Sequence, residues 1–172
     1  MSDLVPVGVA LGSNMGDRLV NLQKALGELV LVIKDIEVSG VYESAPMYKT
    51  DQPEFLNAAV VGFTELGPIA LLRELKRIEA NVGRLKRERN GPREIDLDVI
   101  FYGALALRSP TLAVPHPSMA ERRFVLLPLA ELRPFLKLPK MVAIADLLDQ
   151  TECQSEDVLR SSHAVLSIPG DR

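Results

Sequence analysis

The chain has 172 residues, 47% of them hydrophobic, which is ample for one buried core and suggests a single domain over 1–172. Lys and Arg number 20 against 23 Asp and Glu, and the resulting net charge of −3 argues against general attraction to nucleic acid or anionic membrane, so any anion site has to be local. The one cysteine, Cys153, excludes an intramolecular disulfide and a cysteine-based zinc cluster, and with no basic leader and no apolar run of about 18–20 residues the expectation is a cytoplasmic protein.

Residues 5–12, VPVGVALG, form a β-branched apolar run stopped by Gly12-Ser13-Asn14, the first expected strand. Ser13 reads as a turn or cap residue, not a nucleophile. Leu19, Leu22, Leu26, Leu29 and Ile33 then recur at spacings of three and four, predicting a helix over 17–34. Strands are expected at 36–42 and 57–65, joined by ESAPMYKTDQPEF, a loop long enough to suggest function. Pro68 suits a first helical turn, and Ile69, Leu72, Leu75 and Ile78 make the stripe of a second helix over 68–81 before Gly83.

Residues 94–102, EIDLDVIFY, are the fourth expected strand, with Ile95, Leu97, Val99 and Phe101 on one side and Asp96, Asp98, Ile100 and Tyr102 on the other. The order β-α-β-β-α-β points to an α+β, ferredoxin-like fold: an antiparallel sheet with both helices on one face, followed by a C-terminal extension. In that extension a short strand is expected near 105–107, a short helix near 118–122 and a last helix over 141–150. The tail from 151 to 172 has no assigned role beyond docking of Ala164 to Ile168 on the core.

Residues i and i+2 of a strand lie about 6.5–7 Å apart on one face, so Asp96 and Asp98 can converge. Oxygen-only ligation by carboxylates favours Mg²⁺, with water and phosphate completing the shell, and two such ions could bridge phosphates for an in-line displacement. A solvated strand face is the bland alternative. Just upstream, RLKRERNGPR (84–93) holds five cations and one Glu in ten residues. Alone it reads as a solvated loop or a nucleic-acid patch; beside a metal-binding strand it reads as an arm that closes on polyphosphate through arginine forks. No GxxxxGK[ST] or GxGxxG follows a strand, which disfavours Walker and Rossmann sites. His116 alone is as readily a turn histidine as a phosphate contact.

The stretches ALGSNMGDR, VYESAPM with DQPEFLNAAV, RIEANVGR, NGPREIDLDVIFYG and VPHPSMAERRFVLLPLAE, in that order, resemble the 6-hydroxymethyl-7,8-dihydropterin pyrophosphokinases of folate biosynthesis. The resemblance implies transfer of diphosphate from MgATP to the pterin hydroxymethyl group, with release of AMP. It implies two Mg²⁺ on Asp96 and Asp98, and phosphate contacts from Arg84 and Arg93 with Lys86 or Arg87 in support. Glu79, Leu112, His116 and Arg122 fall at nucleotide-site positions. The pterin would stack between Phe55 and Phe124, with Asn57 and the chain around Ser44, Ala45, Pro46 and Met47 reading its polar edge. Asn90 stands where tryptophan is frequent in the family, and Phe55 where tyrosine is. The substrates would be small molecules, with no nucleic acid, membrane or obligate protein partner. Two other readings stay open: another Mg²⁺-dependent phosphotransferase, and an RNA-binding module of the same fold, against which stand the acids on the fourth strand where RNA readers expose aromatics.

Overall fold

In the computed structural model, which describes residues 3–171, strand β1 (Val5–Ser13) buries Val7, Val9 and Leu11 on one face. Helix α1 (Arg18–Leu29) follows, its Asp17 cap accepting the Val20 N–H at 3.1 Å. It ends four residues before Ile33, short of the expected 34. The Val30–Ile33 segment, three of its four residues β-branched, turns instead through N–H bonds from Val32 and Ile33 to the Leu29 carbonyl, and Ile33 still reaches the core.

The expected 36–42 strand is two strands, β2 (Lys34–Val38) and β3 (Tyr42–Ser44). Between them Ser39 makes a side-chain bond to the β4 backbone, accepting the Ala59 N–H at 2.9 Å, and the Gly40 N–H donates to Glu131. A Cβ on Gly40 would lie 2.7 Å from the Arg160 guanidinium, so only glycine passes there without displacing that side chain. Strand β4 (Phe55–Thr64) and helix α2 (Pro68–Val82) come next, and Gly83 closes the helix in the left-handed region at φ 116°.

Strand β5 (Asp96–Tyr102) completes the core, and the sheet order β5-β1-β4-β3, with β2 also on β4, is antiparallel throughout. This is the expected ferredoxin-like arrangement. Leu22, Leu26 and Leu29 of α1 and Leu71, Leu75 and Ile78 of α2 pack with Val7, Val9, Leu11, Leu97 and Val99 on one face. Each such leucine is worth about 1.5–3 kcal/mol of burial.

The alternation along β5 breaks once. Gly8 pairs with Phe101 but Val9 pairs with Val99, so Ile100 is a bulge, and Ile100 and Phe101 both join the opposite core while Tyr102 returns to the first. The expected side assignments of Phe101 and Tyr102 are thereby reversed. The bulged Ile100 carbonyl accepts the His116 N–H at 2.8 Å.

The extension builds a second layer, in which the short strand, the turn near 118–122 and the last helix were expected but helix α3 was not. A two-residue pair, β6 (Leu107–Arg108) and β7 (Ala113–Val114), leads to a 3₁₀ turn at Met119–Glu121 and helix α3 (Arg123–Leu132). With helix α4 (Ile144–Gln150), α3 covers Ala59, Val61, Ile100 and Phe101 through Val125, Leu126, Leu129, Ile144 and Leu147. Strand β8 (Val158–Arg160) then adds to the free edge of β3. The tail docks as expected: Leu166 is buried in the first core, and Gln23 and Ser167 exchange two hydrogen bonds of 2.8 and 3.0 Å.

Candidate functional site

The C-terminal half of β1, the start of β5, the 45–54 loop and the segment entering α3 enclose a pocket of about 700 Å³, mouth included. Its lining contains Ser44, Ala45, Met47, Phe55, Asn57, Arg93, Asp96, Asp98, Arg122 and Phe124 of the expected residues. Pro46, Glu79, Arg84, Lys86, Arg87, Leu112 and His116 are not part of that lining.

The acidic floor comes from β5. Each oxygen of Asp96 accepts from one arginine, Oδ1 from Arg84 Nη1 at 2.8 Å and Oδ2 from Arg93 Nη1 at 3.0 Å. Asp98 has no such donor among the described residues. Burial, then the neighbouring charge of Asp96, push its carboxyl up to about 6, against the pull of Lys76 and Arg122. Two crowded carboxylates of which one resists ionisation are what a hard cation would relieve. Among the described residues no group of three or more His, Cys, Asp or Glu gathers to hold a metal. Two aspartate carboxylates on one strand suit Mg²⁺, which takes one or two carboxylates and fills its shell from water and phosphate.

Glu79 holds this floor from below. Buried in the last turn of α2, its Oε1 accepts the Leu97 N–H at 2.8 Å and pairs with Arg84 at 2.9 Å. Gly83 turns the chain so that Arg84 emerges beside Asp96. Farther along the loop Arg87 forms a fork on Glu94, with bonds of 2.8 and 2.7 Å, which holds the Glu94 carboxyl down to about 2. Arg87 is thus committed to an acid, while Lys86 stands exposed on the same loop.

The other wall is flat and apolar. Phe55 lies on β4 under the Arg93 guanidinium, 5.8 Å from ring centre to Cζ. Asn57 donates its amide to Ser44 Oγ at 2.7 Å and to the Tyr42 carbonyl, which leaves its Oδ1 beside Gly12 as an acceptor. Phe124 opens α3 on the opposite side, with Arg122 over its ring at 5.9 Å.

His116 sits behind the pocket, its Nδ1 accepting the Ser118 N–H at 3.2 Å; burial, then Arg122, push its imidazole down to about 4, so it is neutral near pH 7. The side chain of Leu112 lies in the first core, and its N–H donates to Ser109 Oγ.

Three polar lining residues, Tyr48, Gln52 and Asn90, were given no contact by the sequence reading, nor was Asn14, which lies outside the lining but bonds to Gln52 and Arg93. Asn14 accepts the Arg93 N–H at 2.8 Å and donates to Gln52 at 2.9 Å, and Gln52 donates to the carbonyl of Asn90, which is left-handed at φ 59°. These bonds join three loops distant in sequence, and no local pattern announces them.

A model of the family described as 7,8-dihydro-6-hydroxymethylpterin-pyrophosphokinase (HPPK) matches residues 8–134. The chain is 40% identical over 147 residues to 2-amino-4-hydroxy-6-hydroxymethyldihydropteridine pyrophosphokinase of Synechocystis sp., covering 84% of this chain and 75% of that protein. It is 50% identical over 134 residues to the mitochondrial folate synthesis bifunctional protein of Pisum sativum, covering 73% of this chain but only 25% of the pea protein. In fold it is similar to Plasmodium falciparum HPPK-DHPS, crystallised with pterin and p-hydroxybenzoate, at TM-score 0.74 and 16% identity over 92% of this chain and 45% of that one. The chain thus spans about a quarter of the pea relative and less than half of the Plasmodium chain. Among the described residues no helix is long and apolar enough to cross a membrane.

Proposed function

Because the chain belongs to the 7,8-dihydro-6-hydroxymethylpterin-pyrophosphokinase family, we propose that it transfers diphosphate from MgATP to 6-hydroxymethyl-7,8-dihydropterin. The observation that carries the reading is the joining, in one pocket, of the Asp96–Asp98 floor and its arginines to the slot of Phe55, Phe124 and Asn57. One half suits a metal-bound polyphosphate and the other a flat, hydrogen-bonding heterocycle. A phosphotransferase acting on a different hydroxyl would need the first half alone.

In the reaction the substrate hydroxymethyl oxygen bonds to the β-phosphorus as the bond from that phosphorus to the α–β bridging oxygen breaks. AMP carries that oxygen away and the hydroxyl proton passes to solvent. Asp96 and Asp98 would hold Mg²⁺, two ions in this proposal, whose chemistry is to neutralise the charge on the phosphates. Arg84, Arg93 and Arg122 face the phosphates, with Lys86 in reach of solvent-exposed oxygens. Phe55 and Phe124 sandwich the pterin, and Asn57 Oδ1 accepts from its amino edge. No side chain is assigned as general base, and the rate enhancement comes from positioning and charge. Cytoplasmic location and action without a protein partner belong to the same proposal.

The test is incubation of the purified protein with MgATP and the dihydropterin, followed by chromatography of nucleotides. AMP formed in step with a pterin diphosphate is expected. A folded, Mg²⁺-supplied protein that yields no pterin-dependent AMP would overturn the assignment.

A further inference from the structure

Two arginines line the pocket, and they are held in opposite ways. Arg93 is neutralised by Asp96 at 3.0 Å, as Arg84 and Arg87 of the cationic loop are by Glu79, Asp96 and Glu94. Arg122 has no ion-pair partner among the described residues. Its side chain is held by Tyr48 and Phe124 instead. The Arg122 Nε–H donates to the Tyr48 hydroxyl at 3.1 Å, and its Cζ lies 5.3 Å from the Tyr48 ring centre and 5.9 Å from that of Phe124.

The two rings come from different walls. Tyr48 belongs to the 45–54 loop between β3 and β4, whereas Phe124 belongs to the first turn of α3, so the stack of Tyr48, Arg122 and Phe124 crosses the pocket. With Nε used by Tyr48, both terminal nitrogens of Arg122 are left without a hydrogen-bond partner among the described residues. A charge that the fold orients but does not neutralise is suited to an anion from outside.

We propose that Tyr48 is a positioning residue for this reaction: it fixes the Arg122 guanidinium so that its terminal nitrogens meet the nucleotide polyphosphate. This deepens, and rests on, the reading of the pocket as a nucleotide and pterin site. Tyr48 also keeps Arg122 away from the acids. The charge of Arg122 reaches Asp98, as those of Lys76 and Arg84 do, so a guanidinium freed from Tyr48 has a carboxylate to collapse upon, and the site would lose a phosphate donor and a metal ligand together.

Tyr48 is 52% exposed, so its replacement leaves both cores intact. Binding of Mg²⁺ with α,β-methylene-ATP is measured by calorimetry. Tyr48→Ala is expected to weaken it about tenfold and Tyr48→Phe, which keeps the ring, about threefold. In an Arg122→Ala background Tyr48→Ala is expected to have no further effect, because its role runs through Arg122. Equal losses in both backgrounds would mean that Tyr48 touches the ligand itself, and would overturn the proposal, as would no loss in either. A wild type that binds no analogue would instead refute the nucleotide reading. Tyr48 is then judged by the Arg122 Nε–H resonance, expected to be sharp in the wild type and broadened by exchange in Tyr48→Phe. An unchanged resonance would overturn the positioning role.

Discussion

Removing the carboxylate of Glu79 should loosen the floor of the pocket without touching any pocket-lining atom. Glu79 is 4% exposed, in the last turn of α2, where the helix dipole disfavours a negative charge by about 0.3–1 kcal/mol. Its Oε1 serves Leu97 N–H and Arg84 at once, and Lys76 approaches at 3.2 Å. Glu79→Ala orphans the Leu97 N–H, a cost of about 1–3 kcal/mol. It also removes one of the two carboxylates on Arg84, which keeps Asp96 at 2.8 Å, so this loss stays at about 1.5–3 kcal/mol, that of one charged hydrogen bond. One atom carries both contacts, so the two costs overlap and about 2–4 kcal/mol is the expected total. Glu79→Gln retains an oxygen for Leu97, and Arg84 at 29% side-chain exposure can turn to water, which reduces the loss to about 1–2 kcal/mol. Urea unfolding of the three proteins, with unchanged m, measures both differences. Faster exchange of the Leu97 amide in Glu79→Ala would locate the effect. A loss below about 1 kcal/mol for Glu79→Ala, or equal losses for the two variants, would refute the claim that this carboxylate clamps α2 to β5.

Asp98, with a folded pKa raised from 3.8 to about 6, favours the fold when protonated; that contribution is complete below about pH 3.8 and lost as pH rises through about 6. Asp98→Asn is therefore expected to raise the stability of the ligand-free protein at pH 7 while lowering turnover at least about 10²-fold, and turnover retained within severalfold would remove the metal-site reading. His116 has the opposite sign: lowered from 6.5 to about 4, it contributes stability above about pH 6.5 that is lost as pH falls through about 4, so His116→Asn should flatten the acid limb of denaturant midpoints by up to about 3 kcal/mol. An unaltered acid limb would refute the buried neutral imidazole. Gly8→Ala would place its Cβ 2.3 Å from the Phe101 ring and should cost about 1–3 kcal/mol by overpacking, visible as a lower Tm and partly restored by Phe101→Leu.

The core order was legible because its signals are local. The spacing of Leu22, Leu26 and Leu29, the Pro68 start and Gly83 stop, and the alternation from Ile95 to Val99 each report on one element at a time. Helix α3 was not legible because Pro128 interrupts an apolar run that reads as broken; burial of Val125, Leu126 and Leu129 against the sheet overrides the missing N–H. The Ile100 bulge left no mark in EIDLDVIFY, since the extra residue is defined by what β1 pairs with it. At the site, the carboxylate pair and the cationic loop could be read from spacing. The aromatic slot needed the resemblance. Tyr48 and Gln52 could be found by neither, because their partners Arg122, Asn14 and Asn90 lie 74 and 38 residues away.

Strand β8 also bears on how the chain assembles. Ser44, which lines the pocket, is paired to Phe55 on one edge and to Val158 on the other. The first of those pairings spans a short loop, whereas the second waits for a segment more than a hundred residues later in synthesis. Contacts of such separation form late, because the entropy of closing the intervening loop must be met first. The β3 edge of the pocket wall is accordingly completed only when that distant segment arrives, a closure as non-local as the pairing of β5 with β1.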